Sequence, residues 1–254
     1  MGQGVRTEVI GNATLMLGDC REAVKVTGHS DALITDPPYG IKNKAQSGFD
    51  TRTVKGLQIR RHGWAMIEGD DKPFDPSFWL DRERFIFPRG VILFGANHYA
   101  DRLPPSACWI VWDKRGGVAR DDNADCEMAW TSLRGVARVH TQLWKGIARA
   151  GEENIAVNGA KLHPHQKPVA LLDYCMTLCK LQAGERVFDP FMGSGSCGVA
   201  AVRRGLHYLG VEIDEHYFDI ACRRIEEAHR QPRLFSEPVP KPVQTSIFDS
   251  PEAA

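Results

Sequence analysis

The sequence predicts an open, doubly wound α/β fold on a mostly parallel sheet. Three observations predict it. Short apolar runs stop abruptly at acidic residues: Asp31-Ala-Leu-Ile-Thr35 at Asp36, Arg186-Val-Phe188 at Asp189, and His207-Tyr-Leu-Gly-Val211 at Glu212. A Gly-rich turn, Gly193-Ser-Gly195, joins one such strand to a helix. Amphipathic helical segments then alternate with strands through the last third of the chain. Strand–loop–helix–strand order implies parallel pairing, and ligands in such sheets bind beyond the carboxyl ends of the strands. Asp36 and Asp189 are therefore expected in one crevice, although they are far apart in sequence.

The elements follow in order. Asp31–Thr35 reads as a buried strand ended by Asp36-Pro-Pro-Tyr39, because two prolines cannot continue a ladder. Residues 41–62 carry Lys42, Lys44, Arg52, Lys55, Arg60 and Arg61 against Asp50 alone and show no apolar periodicity, which predicts a mobile basic loop. Gly90–Gly95 and Cys108–Trp112 are further buried strands, with Cys126–Trp130 and Val139–Leu143 as plausible others. A second basic loop, 113–120, holds Lys114, Arg115 and Arg120. From Pro168 the pattern becomes helical: Leu171, Leu172, Cys175, Met176 and Cys179 share a face, and Gly184 is expected to end the helix. The helix after Gly195 should stop at a Gly205 cap, and Asp214 should cap a last helix running to about His229. Residues 231–254 are polar and Pro-rich and read as an extended tail.

Composition narrows the classes. A chain of 254 residues suits one α/β domain with an inserted region. Lys plus Arg and Asp plus Glu are both 32, so the net charge is zero, which argues against a protein that merely coats nucleic acid but leaves room for local basic patches. Seven cysteines without a C-x-x-C pair, and an N-terminus without an apolar signal core, predict reduced thiols and a cytoplasmic setting. Cys175 and Cys179 read as core packing, so no metal is expected. No apolar run is long enough to span a bilayer.

Two motifs carry chemistry. Gly193-Ser-Gly-Ser-Cys-Gly198 formally matches a dinucleotide-binding turn, with Glu212 where a ribose-binding acid should lie. A nicotinamide-dependent oxidoreductase is thus one alternative. Against it, Asp189-Pro-Phe191 places a carboxylate before the glycines, which suits an ammonium better than a pyrophosphate. Too few residues also follow Glu212 to finish a dinucleotide fold. The second motif is Asp36-Pro37-Pro38-Tyr39. An exocyclic amine of a nucleobase is a poor nucleophile, because its lone pair is delocalised into the ring. A carboxylate and a fixed backbone carbonyl accepting its N–H bonds would localise that pair, and an aromatic ring would stack on the extruded base.

On these residues the sequence resembles the amino-group DNA methyltransferases of the permuted β group, in which D-P-P-Y precedes the cofactor loop. Leu17-Gly-Asp-Cys20, Asp36–Tyr39, His163-Pro-His-Gln-Lys-Pro168, Phe188–Ser196 and Gly210-Val-Glu-Ile-Asp214 resemble the family's elements in the family's order; Ser196-Cys197 departs from a frequent Thr pair. The resemblance implies a Rossmann-like methyltransferase domain over 1–230. It would hold a catalytic strand end at 31–40, a target-recognition region within 113–162 and a cofactor region at 186–214. It implies S-adenosylmethionine as cofactor, held by Asp19, Cys20, Asp36, His165, Lys167, Asp189, Pro190, Phe191, Gly193, Ser194, Gly195, Glu212 and Ile213. Asp189 would meet the methionine end and Glu212 the ribose hydroxyls, with Asp36–Tyr39 catalytic. Double-stranded DNA is the implied substrate, met by the two basic loops, and a restriction–modification setting and a homodimer are in keeping with the family. An initial Asp in the motif is commoner among adenine-N6 enzymes than N4-cytosine ones, so adenine is expected and cytosine is the alternative. RNA or protein-glutamine methylation fits less well, since those enzymes usually begin the motif with Asn and place the cofactor loop upstream. The intact Asp36 and cofactor loop argue against a catalytically silent DNA-binding module. In the tail, Gln231–Phe235 and Gln244–Phe248 resemble the peptide that docks bacterial DNA enzymes on a sliding clamp, Gln244–Phe248 being the better placed.

Overall fold

The computed structural model describes residues 6–25, 28–40, 51–54, 57–60, 69–117, 124–145, 148–149 and 166–231. The chain opens with a hairpin, β1 (Arg6–Ile10) and β2 (Ala13–Leu17), antiparallel through a turn at Gly11-Asn12. A one-turn helix α1 (Cys20–Ala23) follows, capped by Asp19, whose carboxylate accepts from the Arg21 N–H at 2.8 Å. Strand β3 (Ala32–Thr35) is buried on both faces, as a continuous apolar run in a parallel sheet should be. Where a basic loop is expected, two short strands, β4 (Thr51–Val54) and β5 (Leu57–Arg60), pair antiparallel in a sheet of their own.

Helix α2 (Ser77–Leu80) leads to β6 (Gly90–Phe94), β7 (Trp109–Asp113), β8 (Cys126–Thr131) and β9 (Arg138–Thr141), with a small pair β10 (Trp144–Lys145) and β11 (Ala148–Arg149) beyond. The last third alternates as expected: α3 (Val169–Leu178), β12 (Arg186–Asp189), α4 (Ser196–Arg204), β13 (His207–Glu212), α5 (Glu215–Arg230). Gly205 caps α4 in the left-handed region, and Asp214 caps α5 by accepting from the Tyr217 N–H. Helix α3 ends at Leu178, earlier than Gly184. Lys180 takes the left-handed conformation (φ 54°) that a glycine usually supplies, and Leu181 N–H bonds back to the Met176 carbonyl.

Among the described residues one sheet has nine strands in the order β1-β2-β13-β12-β3-β6-β8-β7-β9. The five from β2 to β6 are parallel to one another, β1 and β8 are antiparallel to their neighbours, and β7 and β9 run parallel. Side chains alternate between two cores. Ala32, Ile34, Ile92, Phe94 and Val187 face one with α3, α4 and α5, while Leu33, Val91, Leu93 and Phe188 face the other with α1 and Trp79 of α2. Helices thus cover both faces, the doubly wound arrangement that the strand patterns require.

Helix α5 seals α4 against the sheet through Ile225, which is fully buried. Its side chain fills the space that a Cβ at Gly198 would occupy, 2.4 Å from Ile225 Cδ1. Ile225→Ala should cost about 2–5 kcal/mol of unfolding free energy, read from the urea midpoint; a loss under about 1 kcal/mol would mean that this packing is slack.

Candidate active site

Four strand ends lie side by side because β2, β13, β12 and β3 are parallel neighbours. The register sets Glu212 beside Leu17 and Phe188 beside Leu33, so the chain leaves each strand at one edge of the sheet. A cavity of about 710 Å³ opens along that edge. It is lined by Asp19, Cys20, Asp36, Pro37, Pro38, Tyr39, Lys167, Asp189, Pro190, Phe191, Gly193, Ser194, Glu212 and Ile213. The crevice expected from Asp36 and Asp189 is therefore present. Gly195 does not line it. It caps α4 at φ 77°, with the place of its Cβ only 2.9 Å from Ala221 Cβ, so it serves the close approach of α4 and α5. His165 lies outside the described residues.

The acidic groups differ in setting. Asp189 is buried and accepts from the Thr35 hydroxyl (2.6 Å), the Tyr208 hydroxyl (3.2 Å) and the Phe191 N–H (3.3 Å). Burial pushes its carboxyl up to about 7 despite these donors, with Asp36 adding to the rise. Glu212 holds the Gly-rich turn to the next strand: it accepts from Gly193 N–H at 2.8 Å and from Ile213 and Asp214 N–H at 3.0 and 2.9 Å. Burial raises its carboxyl as well. Asp19 is exposed and spent on its helix cap, and burial pushes the Cys20 thiol up to about 12.

At the other end, Asp36 is held from two sides. Its Oδ1 accepts from the Tyr39 hydroxyl and its Oδ2 from Lys167 Nζ, both at 2.5 Å. Lys167 also donates to the Tyr39 hydroxyl at 3.1 Å. The Tyr39 ring stacks on His98 (centroids 5.0 Å apart, planes at 17°) and lies against Gly95, where a Cβ would come 1.9 Å from the ring. Gly95 takes φ 66° to turn the chain there. The ring expected to receive an extruded base is thus largely packed, and its hydroxyl has a task that sequence reasoning missed.

Other contributors were not legible. Arg224 of α5 braces the Gly-rich turn, reaching the Ser194 carbonyl (2.6 Å) and the Ser194 and Ser196 hydroxyls (3.0 and 3.1 Å). Phe74 and Trp79 pack edge-on against Phe191. Gly40 N–H is fixed by Asp70 at 2.8 Å. Only the aromatic-rich 74–87 stretch left a signal, and it lacked a period that pointed to the cavity.

The DNA-facing expectations fare unevenly. Arg115 is corrected: its side chain is 7% exposed and ion-paired with Asp125, because the antiparallel neighbour β8 brings Asp125 alongside. Lys114 is largely engaged with Glu127 at 2.9 Å. Lys42, Lys44, Lys55, Arg61, Arg120 and the Gln244–Phe248 segment lie outside the described residues, and of Arg52 and Arg60 only the backbone is described. Among the described residues no cluster of His, Cys, Asp and Glu is suited to a metal, and no described helix is long and apolar enough to cross a membrane.

The fold and the cavity define a class. PvuII DNA methyltransferase (cytosine-N4-specific) has the same fold with a TM-score of 0.54 at 14% identity, covering 85% of this chain and 87% of that one. M1.HpyAVI, solved as a complex with SAM, gives 0.52 at 20% identity over 84% and 98%. Sequence supplies the family. The DNA methylase profile of the N6/N4 type matches residues 107–223. The chain is 33% identical over 265 residues to the type II methyltransferase M.HinfI of Haemophilus influenzae, covering 86% of this chain and 70% of that protein. A 64-residue stretch is 41% identical to the type II methyltransferase M2.DpnII of Streptococcus pneumoniae, 25% of this chain and 24% of that one. The chain belongs to the N6/N4 amino-group DNA methylases.

The raised Asp189 carboxyl has a consequence for stability. A folded value near 7 against an ordinary 3.8 means that its contribution is full below 3.8 and is lost as pH rises through about 7. Asp189→Asn should remove this dependence, so the melting temperature of the variant relative to wild type should rise between about pH 5 and about pH 8. A constant difference would show that the carboxyl titrates normally.

Proposed function

We propose that the chain transfers the methyl group of S-adenosylmethionine to N6 of an adenine extruded from duplex DNA. The observation that carries this reading is the Asp36 carboxylate at the end of β3, opening into the same cavity as Glu212 and Asp189. The cavity fits the cofactor. It offers carboxylates at two strand ends, a turn whose Gly193 lines it without a side chain, and Phe191 and Ile213 for an apolar ring. Glu212 would accept from a ribose hydroxyl with the lone pair that its three N–H donors leave free on Oε2, and Asp189 would face the methionine ammonium once ionised. When bound, the cofactor supplies a methyl group on a positively charged sulfur.

The protein's part is placement and proton handling. Asp36 would accept one N–H of the exocyclic amine, and the carbonyl of Pro37, fixed between two rigid residues, would accept the other. This turns the nitrogen lone pair out of conjugation. Tyr39 and Lys167 hold the carboxylate plane so that one lone pair on each oxygen stays available. The proton that the amine sheds leaves toward Asp36. Adenine is preferred to cytosine because the motif begins with Asp, as the family resemblance implies. The basic segment 41–62 is assigned to DNA contact.

The test is to expose duplex DNA to the protein and S-adenosylmethionine, then map the modified positions by base, atom and sequence. N6-methyladenine at one recurrent sequence is the expected result. N4-methylcytosine would transfer the reading to the cytosine alternative, and no DNA methylation would overturn it. Glu212→Ala should weaken S-adenosylmethionine binding by about one to two decades in calorimetry, the loss of a charge-assisted hydrogen bond. An unchanged dissociation constant would remove Glu212 from the site.

A further inference from the structure

Asp36 is one end of a row of alternating charges that crosses four segments of the fold. Lys167, in the segment before α3, reaches Asp36 at 2.5 Å on one side and Glu127 of β8 at 3.0 Å on the other. Glu127 in turn accepts from Lys114, just past β7, at 2.9 Å. The Lys167 side chain is 5% exposed, and its Nζ also lies 5.5 Å from the centre of the Phe94 ring. The position of Glu127 depends on the antiparallel register that sets it opposite Trp112.

We propose that Glu127 is a positioning residue for the reaction, acting through Lys167 to orient the Asp36 carboxylate and keep it a good acceptor. This rests on the reading of Asp36 given above. A buried ammonium facing one carboxylate neutralises it, and a neutralised carboxylate is a poor acceptor for the amine N–H. Two carboxylates sharing one ammonium divide its hydrogen bonds and its charge, so Asp36 is oriented without having the whole ammonium charge to itself. Lys114 balances the outer end, where solvent reaches its side chain.

Among the described residues, four charged or titratable groups form or touch this row besides Lys167. Asp36 and Tyr39 come from the end of β3, Glu127 from β8 and Lys114 from the end of β7. The negative charge of Asp36 is felt in turn by Tyr99 and Asp189, whose groups it helps to raise. Burial lowers the Lys167 ammonium, but Asp36 and Glu127 outweigh it and hold it raised. Glu127 itself, although burial favours its neutral form, is drawn down to about 2 by Lys167 and Lys114. Loss of Glu127 would leave the burial effect with a single carboxylate to oppose it, so Lys167 should shed its proton at lower pH.

The experiment compares wild type, Glu127→Gln and Glu127→Asp as full-length proteins, with circular dichroism to confirm that each is folded. Methyl transfer to duplex DNA gives kcat and KM. Labelling of Lys167 by an amine-acylating reagent, followed by peptide mass spectrometry between about pH 8 and 11, needs no activity. In Glu127→Gln, kcat should fall about tenfold or more with both KM values within about threefold, because the bound complexes still form. The alkaline limb of its pH profile and its Lys167 labelling curve should both move down by about one unit. Glu127→Asp, which keeps the charge, should recover much of both, and it stands in if the Gln variant does not fold. Unchanged labelling, or shifted labelling with wild-type kcat, would overturn the positioning role. A wild type that labels as expected but methylates no DNA would instead overturn the functional reading on which that role rests.

Discussion

The parallel pairing of β12 with β3 is the constraint on which the site depends. It places Thr35 and Asp189, 154 positions apart in sequence, in hydrogen-bond contact at 2.6 Å. Asp36 follows Thr35 directly, so the same contact fixes where the end of β3 stands relative to the Gly-rich turn. Strand β13 on the far side of β12 then brings Glu212 to the same edge, and its bond to Gly193 N–H ties the turn to the next strand end. A permuted chain order is no obstacle, because a parallel sheet places its strand ends by lateral pairing and not by succession along the chain.

Charge is handled differently at the two ends of the cavity. Around Asp189 the low polarity is answered by hydroxyl and backbone donors, and its carboxyl is driven up to about 7. Around Asp36 the answer is a buried lysine shared with Glu127. Such a network is costly to leave half-built, since removing one member strands a charge away from water. Its members come from β3, β8 and the segment before α3, so the inserted antiparallel strands contribute to the site as well as enlarging the sheet.

Strands buried on both faces were legible because their apolar runs are continuous and end at charged or proline residues, as at Asp36 and Asp189. The helix caps at Gly205 and Asp214 were legible because their chemistry is local. The hairpin β1–β2 was not. Its outer strand is largely exposed and pairs on one side only, so Arg6–Ile10 carries no apolar run to read. The pairing of β4 with β5 was hidden among basic residues. The role of Glu127 could not be read from sequence, and Arg115 was read as a DNA contact when it is spent on an ion pair. Both depend on the β7–β8 register, which sets Trp112 opposite Glu127 and Asp113 opposite Cys126, and no local pattern encodes a register. Tyr39 was read for its ring alone, and the ring turns out to be packed on His98 and Gly95 while the hydroxyl serves Asp36.

The central claim is that neighbouring strand ends divide the work: Asp189 and Glu212 hold the cofactor, and Asp36 acts on the base. The most direct measurement is Asp36→Ala, with S-adenosylmethionine affinity by calorimetry and methyl transfer to duplex DNA followed on the same preparation. The account predicts a dissociation constant within about threefold of wild type and a transfer rate lowered by about a thousandfold or more. Transfer within about tenfold of wild type, or cofactor affinity that collapses together with activity, would contradict it.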